Sequence, residues 1–162
     1  MIVGNNFSSL SGWKTYSESS YRQSETTTWR KLQLMIDASG LGIGRFGFTN
    51  YCHGVMEQKS ECYSFPKHIV RSLEFNQLFT TFVASMKPAL IVSLGNLASD
   101  LLGTDYKQRD KIDRRTIAGH STKLIAAVHP SAWTWANRGF TFEDCRLEGQ
   151  RIRAAVREPQ TD

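Results

Sequence analysis

The chain of 162 residues is long enough for one ordinary domain, which would bury roughly two thirds of the surface that the unfolded chain exposes. Lys and Arg number 20 against 15 Asp and Glu, and the formal net charge of +5 favours a polyanionic partner such as nucleic acid. Three cysteines without a Cys-x-x-Cys pair argue against a disulfide framework and against a zinc or iron–sulfur site. The sequence has no signal-peptide pattern and no apolar run near about 18 residues, which predicts a cytoplasmic protein without a membrane span.

Apolar runs and helix-length segments alternate along the chain. In chain order, strands are predicted at residues 1–3, 47–49, 89–94 and 124–128, and helices at residues 28–38, 69–86, 97–102 and 142–156. Gly40 and Gly103 follow the first and third helices, where a glycine commonly ends a helix. We therefore predict a single domain over residues 1–162, an α/β three-layer sandwich around a central, mainly parallel four-stranded sheet.

Polar residues follow each predicted strand. In an open parallel sheet, ligands bind beyond the carboxyl ends of the strands, so these residues are expected to gather in one site. The residues are Asn6, Asn50, Asn96 and His129. The alternative is that the asparagines are ordinary turn or cap residues and that the histidine only precedes a proline in a turn.

Four short strings occur in an order that carries more information than any one of them. They are GNN at 4–6, FGFTN at 46–50, MKPALIVSLG at 86–95 and HPS at 129–131. This order resembles the uracil-DNA glycosylase superfamily, which has a Gly-x-Asp or Gly-x-Asn turn after its first strand and a His-Pro-Ser turn after its last. The similarity extends from Met1 to about Gly139, and the four cysteines of the iron–sulfur branch are missing.

The resemblance implies a monofunctional DNA glycosylase with a uracil-DNA glycosylase-like fold. Such an enzyme hydrolyses the N-glycosidic bond of a flipped-out aberrant or C5-modified pyrimidine, either uracil or a modified cytosine such as those in phage DNA, and leaves an abasic site. It would act as a cytoplasmic monomer on DNA, in base excision or antiviral defence, without a metal or other cofactor. The residues that the resemblance assigns are Asn6 and His129 to catalysis, Phe7, Ser8, Phe48 and Asn50 to base binding, and Ser131, Trp133, Trp135 and Arg138 to DNA binding.

The chemistry of base excision needs these residue types. Negative charge collects on the departing base, and a rigid imidazole that donates a hydrogen bond to it in a dry pocket contributes about 3 kcal/mol. His129, held by Pro130, is the candidate donor. Asn6 can orient the attacking water but cannot accept its proton, because an amide is not basic. The first turn has no carboxylate, so a catalytically weak or inactive family member that binds DNA or a partner protein stays as the alternative.

Two positions depart from the family pattern near the first strand. Phe7 stands where most members have proline, and Ser8 stands where strict uracil enzymes have a tyrosine that blocks the C5 edge of the pyrimidine. A serine leaves that edge open, which predicts that 5-substituted pyrimidines are accepted. The aromatic residue that stacks on the base is left open among Trp29, Phe48 and Phe7.

A basic segment precedes the last predicted strand. It contains Lys107, Arg109, Lys111, Arg114 and Arg115, interspersed with two aspartates. Lysine and arginine clusters often contact the phosphate backbone, whereas a mixed-charge loop is often only solvated. Both interpretations of this segment stay open.

Overall fold

A computed structural model describes residues 1–6, 27–52, 73–130 and 139–159. Within these ranges the strands are β1 (Ile2–Asn6), β2 (Phe48–Cys52), β3 (Leu90–Leu94), β4 (Asp113–Ile117) and β5 (His120–Ala127). The helices are α1 (Thr27–Ser39), α2 (Leu73–Met86), α3 (Gly95–Leu102) and α4 (Phe142–Arg157), with a 3-10 turn at Ile43–Arg45. None of the helices in these ranges has the length and apolar character needed to cross a membrane.

The described strands form one five-stranded sheet in the order β2-β1-β3-β5-β4. β1 is parallel to β2 and to β3, and β3 is parallel to β5, whereas β4 is antiparallel to β5. The predicted α/β fold with a mainly parallel central sheet is confirmed. The predicted number of four strands is wrong, because β4 adds an antiparallel edge strand.

The sequence conceals β4 for two reasons. Its residues are polar and mostly exposed, so no apolar run marks it. It joins β5 through a two-residue turn, Ala118-Gly119, in which both residues have positive φ (51° and 75°). Such hairpin turns are usually announced by Asn-Gly or Asp-Gly, and alanine at the first position gives no signal. For the same reason β5 begins at His120 instead of at Leu124, because its polar first half pairs with β4.

The helices cover both faces of the sheet. Successive strand residues point to opposite faces, so Ile2 and Val3, Ile91 and Val92, and Leu124 and Ile125 are divided between two cores. One core contains Ile2, Val92 and Ile125 with residues of α1 and α4, and the other contains Val3, Ile91 and Leu124 with residues of α2 and α3. This burial of both faces is typical of parallel sheets and is compatible with a three-layer sandwich.

Helix α4 is fixed at both ends and along its side. At its start, Thr141 and Asp144 form a capping box. At its end, the buried Lys123 of β5 donates from Nζ to the carbonyls of Ala155 (2.5 Å) and Glu158 (2.8 Å), which are among the acceptors that a helix leaves unpaired. Midway, a Cβ on Gly149 would overlap the carbonyl oxygen of Met35, so glycine is required where α4 crosses α1.

Several predicted boundaries are corrected by strand pairing. β1 continues through Asn6, and Gly4 and Asn6 pair with Asn50 and Cys52 of β2, so the expected turn after the first strand is the end of the strand itself. β2 runs to Cys52, which places Asn50 within the strand and not at its end. The predicted helix ends are confirmed, because Gly40 and Gly103 follow α1 and α3 with φ of 67° and 65°. Residues 69–72 of the predicted second helix lie outside the described residues.

Candidate functional site

The candidate site lies at the carboxyl ends of β1, β2, β3 and β5. The pairing registers align Gly4 with Asn50 and Leu94 with Ala127, and Val3 with Ser93 just before them. Asn50, Gly4, Leu94 and Ala127 therefore form one row across the sheet. Asn6 lies on β1 two residues beyond this row, about 6.6 Å further toward the carboxyl edge, and His129 is the second residue after the end of β5.

The strand order spaces these residues across the edge. β1 and β3 lie between β2 and β5, and with neighbouring strands about 4.8 Å apart, the chains of Asn50 and His129 are separated by about 14 Å. Asn6 ends the strand next to β2. A ligand that contacted both Asn50 and His129 would therefore lie over the ends of β1 and β3.

His129 is seated against a glycine at the end of the neighbouring strand. Gly95 has φ of +79°, and a Cβ built on it would lie 3.0 Å from Cβ of His129. The histidine is half-buried, and the following Pro130 is buried. Desolvation by burial lowers the pKa of His129 below its ordinary value. The imidazole is therefore neutral at pH 7, with one nitrogen that donates and one that accepts.

Asn50 is likewise seated against a glycine. A Cβ on Gly4 would overlap Oδ1 of Asn50, so the side-chain amide of Asn50 lies across the backbone of β1. Its half-buried position leaves part of the side chain in contact with solvent. Each of these two polar side chains is therefore accommodated by a glycine on the adjacent strand or at its end.

Phe48 belongs to an aromatic cluster set back from the carboxyl edge. Its ring lies edge-on to Trp29 of α1, with centroids 5.1 Å apart, and it stacks on Phe46 at 6.4 Å. Phe48 pairs with Ile2, two residues behind Asn50 on the same face of the sheet. The structure thus does not bring Phe48 together with His129, although 38% of the side chain is exposed. Trp29 belongs to the same aromatic cluster as Phe48. Phe7 lies outside the described residues.

The remaining predicted site residues divide into two groups. Asn96 is described, and it is exposed in the first turn of α3. Phe7, Ser8, Ser131, Trp133, Trp135 and Arg138 lie outside the described residues, as does the side chain of Asn6.

The basic segment is engaged in contacts within the chain. Arg109 pairs with Glu148, Lys111 Nζ lies 2.8 Å from Asp113, Arg114 pairs with Glu158, and Arg115 donates to the carbonyl of Gly103. Residues 113–117 form the edge strand β4 and not a loop. Charged side chains on an edge strand discourage pairing with other chains, which explains Arg114 and Arg115 without a ligand.

Sequence reasoning missed a buried ion-pair cluster behind the end of β5. Glu148 of α4 is 3% exposed and accepts hydrogen bonds from Nη1 of Arg109 and from Nη1 of Arg151 (3.2 Å). Burial raises the pKa of its carboxyl group, while the two arginines oppose the rise. The spacing of Glu148 and Arg151 on one helix was the available signal, but Arg109 is 39 residues away in sequence.

A cleft of about 530 Å³ lies at the opposite edge of the sheet, beside the amino ends of the strands. Its lining is mostly apolar and includes Met1, Leu41, Phe46, Met86, Leu90 and Ile152. It contains none of the predicted site residues. The chemistry-bearing residues and this cleft are thus on different sides of the molecule.

Neither metal ligands nor relatives add to this picture. Within the described ranges, no group of three or more His, Cys, Asp or Glu side chains is arranged to hold a metal ion. Comparison with known protein families gives no matching family model, and no curated protein matches the chain. The fold and the site define an α/β protein with amide and imidazole side chains along the carboxyl edge of its sheet.

Proposed function

We propose that the protein is a DNA glycosylase of the uracil-DNA glycosylase superfamily, which releases an aberrant or C5-modified pyrimidine from DNA. The observation that carries the proposal is the common edge. Asn6 ends β1, Asn50 lies within β2 in register with Gly4, and His129 follows β5, and these strands are mutually parallel in the order β2-β1-β3-β5. The basic charge of the chain supports a DNA partner.

In the proposed reaction, the target nucleotide rotates out of the helix and its base lies over the ends of β1 and β3. The bond between C1′ and the base nitrogen breaks, and its electron pair leaves with the base. Neutral His129 donates a hydrogen bond to the base oxygen where this charge develops. Asn6 orients the water that attacks C1′, and the proton of that water passes to solvent or to the base, because the amide cannot take it.

The first experiment measures base release from oligonucleotides that carry uracil, 5-hydroxymethyl pyrimidines or bulkier 5-substituted pyrimidines, in single and double strands. We expect release from at least one of these, and His129→Ala should lower the rate about a hundredfold with DNA affinity nearly unchanged. His120→Ala is the matched control, since this histidine lies at the other end of β5 and contacts the carbonyl of Pro88. Equal loss of rate and affinity in His129→Ala would indicate a structural histidine.

Asn6 is tested by two substitutions. Asn6→Ala should impair base release severely, whereas Asn6→Asp should retain or raise it by supplying a carboxylate that can accept a proton. An Asn6→Ala enzyme with the native rate would remove this residue from the mechanism.

The substrate class is tested at Ser8. If an open C5 edge admits 5-substituted pyrimidines, Ser8→Tyr should suppress their release and spare that of uracil. An unaltered ranking of bases, or a native protein that accepts uracil alone, would refute the open edge.

One sequence feature favours a second candidate function. Residues 4–6 carry no carboxylate, and a family member without turnover would act as a DNA-binding or partner-binding module. DNA binding without release of any of these bases, also in Asn6→Asp, would favour this alternative.

A further inference from the structure

The cleft beside the amino ends of the strands has the size of a site for a small molecule. Its volume of about 530 Å³ lies within the range of about 300 to 1,000 Å³ that is usual for such sites. Gly47 and Ala89, which precede β2 and β3, line it from the sheet, and Leu41, after α1, and Ile152 of α4 line it from the helices. The cleft is therefore formed by the sheet together with its helices, and not by one loop.

Glycines keep this space open. Gly42 lines the cleft, and a Cβ built on it would meet no atom within 4 Å. A Cβ on Gly47 would overlap Cε of Met86, so the side chain of Met86 lies against this glycine. A methionine side chain is flexible and adapts to irregular shapes. The cleft can thus adjust to a ligand without movement of the sheet.

Apolar side chains of the lining are left in contact with solvent. Met86 is 46% exposed and Val156 is 37% exposed, and Ala89 is exposed as well. Removing such surface from water favours binding, and each methylene group that a ligand buries contributes about a fourfold gain in affinity. The lining therefore favours a ligand with an apolar body.

Among the described residues that line the cleft, Arg45 of the 3-10 turn alone has a charged side chain. Arg153 of α4 lies beside it, since its Nη1 is 3.5 Å from a Cβ built on the lining residue Gly40. Neither arginine forms an ion pair within the described part of the chain, whereas Arg109 and Arg146 each pair with a glutamate. A guanidinium group binds a carboxylate through paired, charge-assisted hydrogen bonds, so this charge favours an anion.

The other polar groups at this edge are already partnered. The amino group of Met1 donates to the carbonyl of Leu90 at 2.6 Å, and burial lowers its pKa to about 6, so that it adds little charge at neutral pH. The last carbonyls of a helix carry partial negative charge, which would repel an anion. At the end of α1 they accept from Oγ of Ser39 and N of Gly40, and at the end of α4 they accept from Nζ of Lys123.

We propose that this cleft binds an amphipathic carboxylate, with its apolar body against Leu41, Met86 and Val156 and its carboxylate at Arg45. A neutral apolar molecule would leave the arginine without a partner, and a small polar anion would leave the apolar lining in water. Arg153 adds positive potential beside the same space. The proposal is independent of base release, because the cleft contains none of the residues at the carboxyl edge of the sheet.

The test uses the native protein and three probes, which are decanoate, decanol and acetate. Isothermal titration calorimetry measures the affinity for each probe, and amide resonances in NMR spectra report where it binds. We expect saturable one-to-one binding of decanoate, about tenfold tighter than that of decanol and at least about a hundredfold tighter than that of acetate. The amide resonances of Gly42, Gly47 and Ala89 should shift, whereas those of Asn50 and His129 should not.

Two pairs of variants separate charge from shape. Arg45→Gln should lower the affinity for decanoate about tenfold and leave that for decanol unchanged. Arg30→Gln is its control, because Arg30 is exposed near the start of α1 and does not line the cleft. Gly42 has φ of −62°, which any residue adopts, and Gly42→Phe should weaken decanoate and decanol alike. Gly44→Phe should bind both as the native protein does, because Gly44 also has open space around it but does not line the cleft.

Three results would overturn the proposal. They are the absence of saturable decanoate binding, resonance shifts at Asn50 and His129 instead of at Gly42 and Gly47, and equal effects of Arg45→Gln and Arg30→Gln. A native dimer that dissociates when decanoate is added would show that a second copy of the chain covers the cleft, and it would overturn the proposal too. The measurements on the native protein decide the outcome should Gly42→Phe fail to fold.

Discussion

Replacing Gly95 by alanine tests whether the seat of His129 matters for function. Gly95 has φ of +79°, where an L-residue costs about 1 to 2 kcal/mol relative to glycine. The new methyl group would also lie 3.0 Å from Cβ of His129, closer than a normal carbon–carbon contact of about 3.5 to 4.0 Å. The histidine must therefore move by a few tenths of an ångström or more, and the fold must absorb the strained backbone.

The two effects can be separated by a matched substitution. Gly119 has φ of +75° and no atom within 4 Å of a built Cβ, so Gly119→Ala carries the backbone cost without the contact. Gly119→Ala should lose about 1 to 2 kcal/mol of unfolding free energy and roughly 2–8 °C in Tm, and Gly95→Ala at least as much, because of its added contact. Only Gly95→Ala should also lower kcat for base release, by about tenfold, with little change in DNA affinity. Thermal melts and single-turnover kinetics measure both, and equal kcat in the two variants would refute the idea that this contact positions His129.

Three further outcomes follow from the charged groups. Because burial lowers the pKa of His129, kcat/KM should be flat near neutral pH and fall only below about pH 6.5. Protonation of His129 should also destabilise the native protein relative to His129→Gln as the pH drops through about 6.5. A fall of kcat/KM that begins well above about pH 6.5 would contradict a neutral imidazole. Lys123→Met leaves the carbonyls at the end of α4 without their donor and should cost about 3 kcal/mol in urea unfolding, whereas Lys111→Met, at an exposed ion pair, should cost less than about 1 kcal/mol. DNA affinity should fall steeply between 50 and 200 mM salt, about a thousandfold if roughly six phosphates are contacted, and a flat response would argue against phosphate contacts.

The parts of the fold that depend on local pattern could be predicted from the sequence. Buried strands read as apolar runs, helices read as spaced apolar positions, and Gly40 and Gly103 marked helix ends because only local backbone geometry is involved. β4 could not be predicted, because its stability comes from pairing with β5 and its residues face solvent. For the same reason the ends of β1 and β2 could not be predicted, because their pairing continues beyond the apolar residues that mark a strand in the sequence.

The candidate site was predictable in its residue types and not in its supports. His129 and Asn6 follow apolar runs, and their order along the chain resembles a known pattern. Glu148 gave no comparable signal, because a glutamate on an amphipathic helix is ordinarily exposed and its partner Arg109 comes from a distant segment. A long-range ion-pair cluster depends on tertiary structure, and a single sequence carries no trace of the distances involved.

The glycines at the site are explained by their neighbours on adjacent strands and not by turns of their own. Gly4 lies within β1, where a turn is neither present nor needed, and its missing side chain leaves room for the amide of Asn50. Gly95 does adopt a left-handed conformation, yet the space it leaves is filled by His129. In both cases a glycine lies against a polar side chain from a neighbouring segment: Gly4 of β1 against Asn50 of β2, and Gly95 at the start of α3 against His129 after β5. Gly4 and Gly95 therefore leave space for Asn50 and His129, the two side chains to which the proposed function assigns base recognition and leaving-group stabilisation. A larger residue at Gly4 or Gly95 is therefore expected to displace Asn50 or His129.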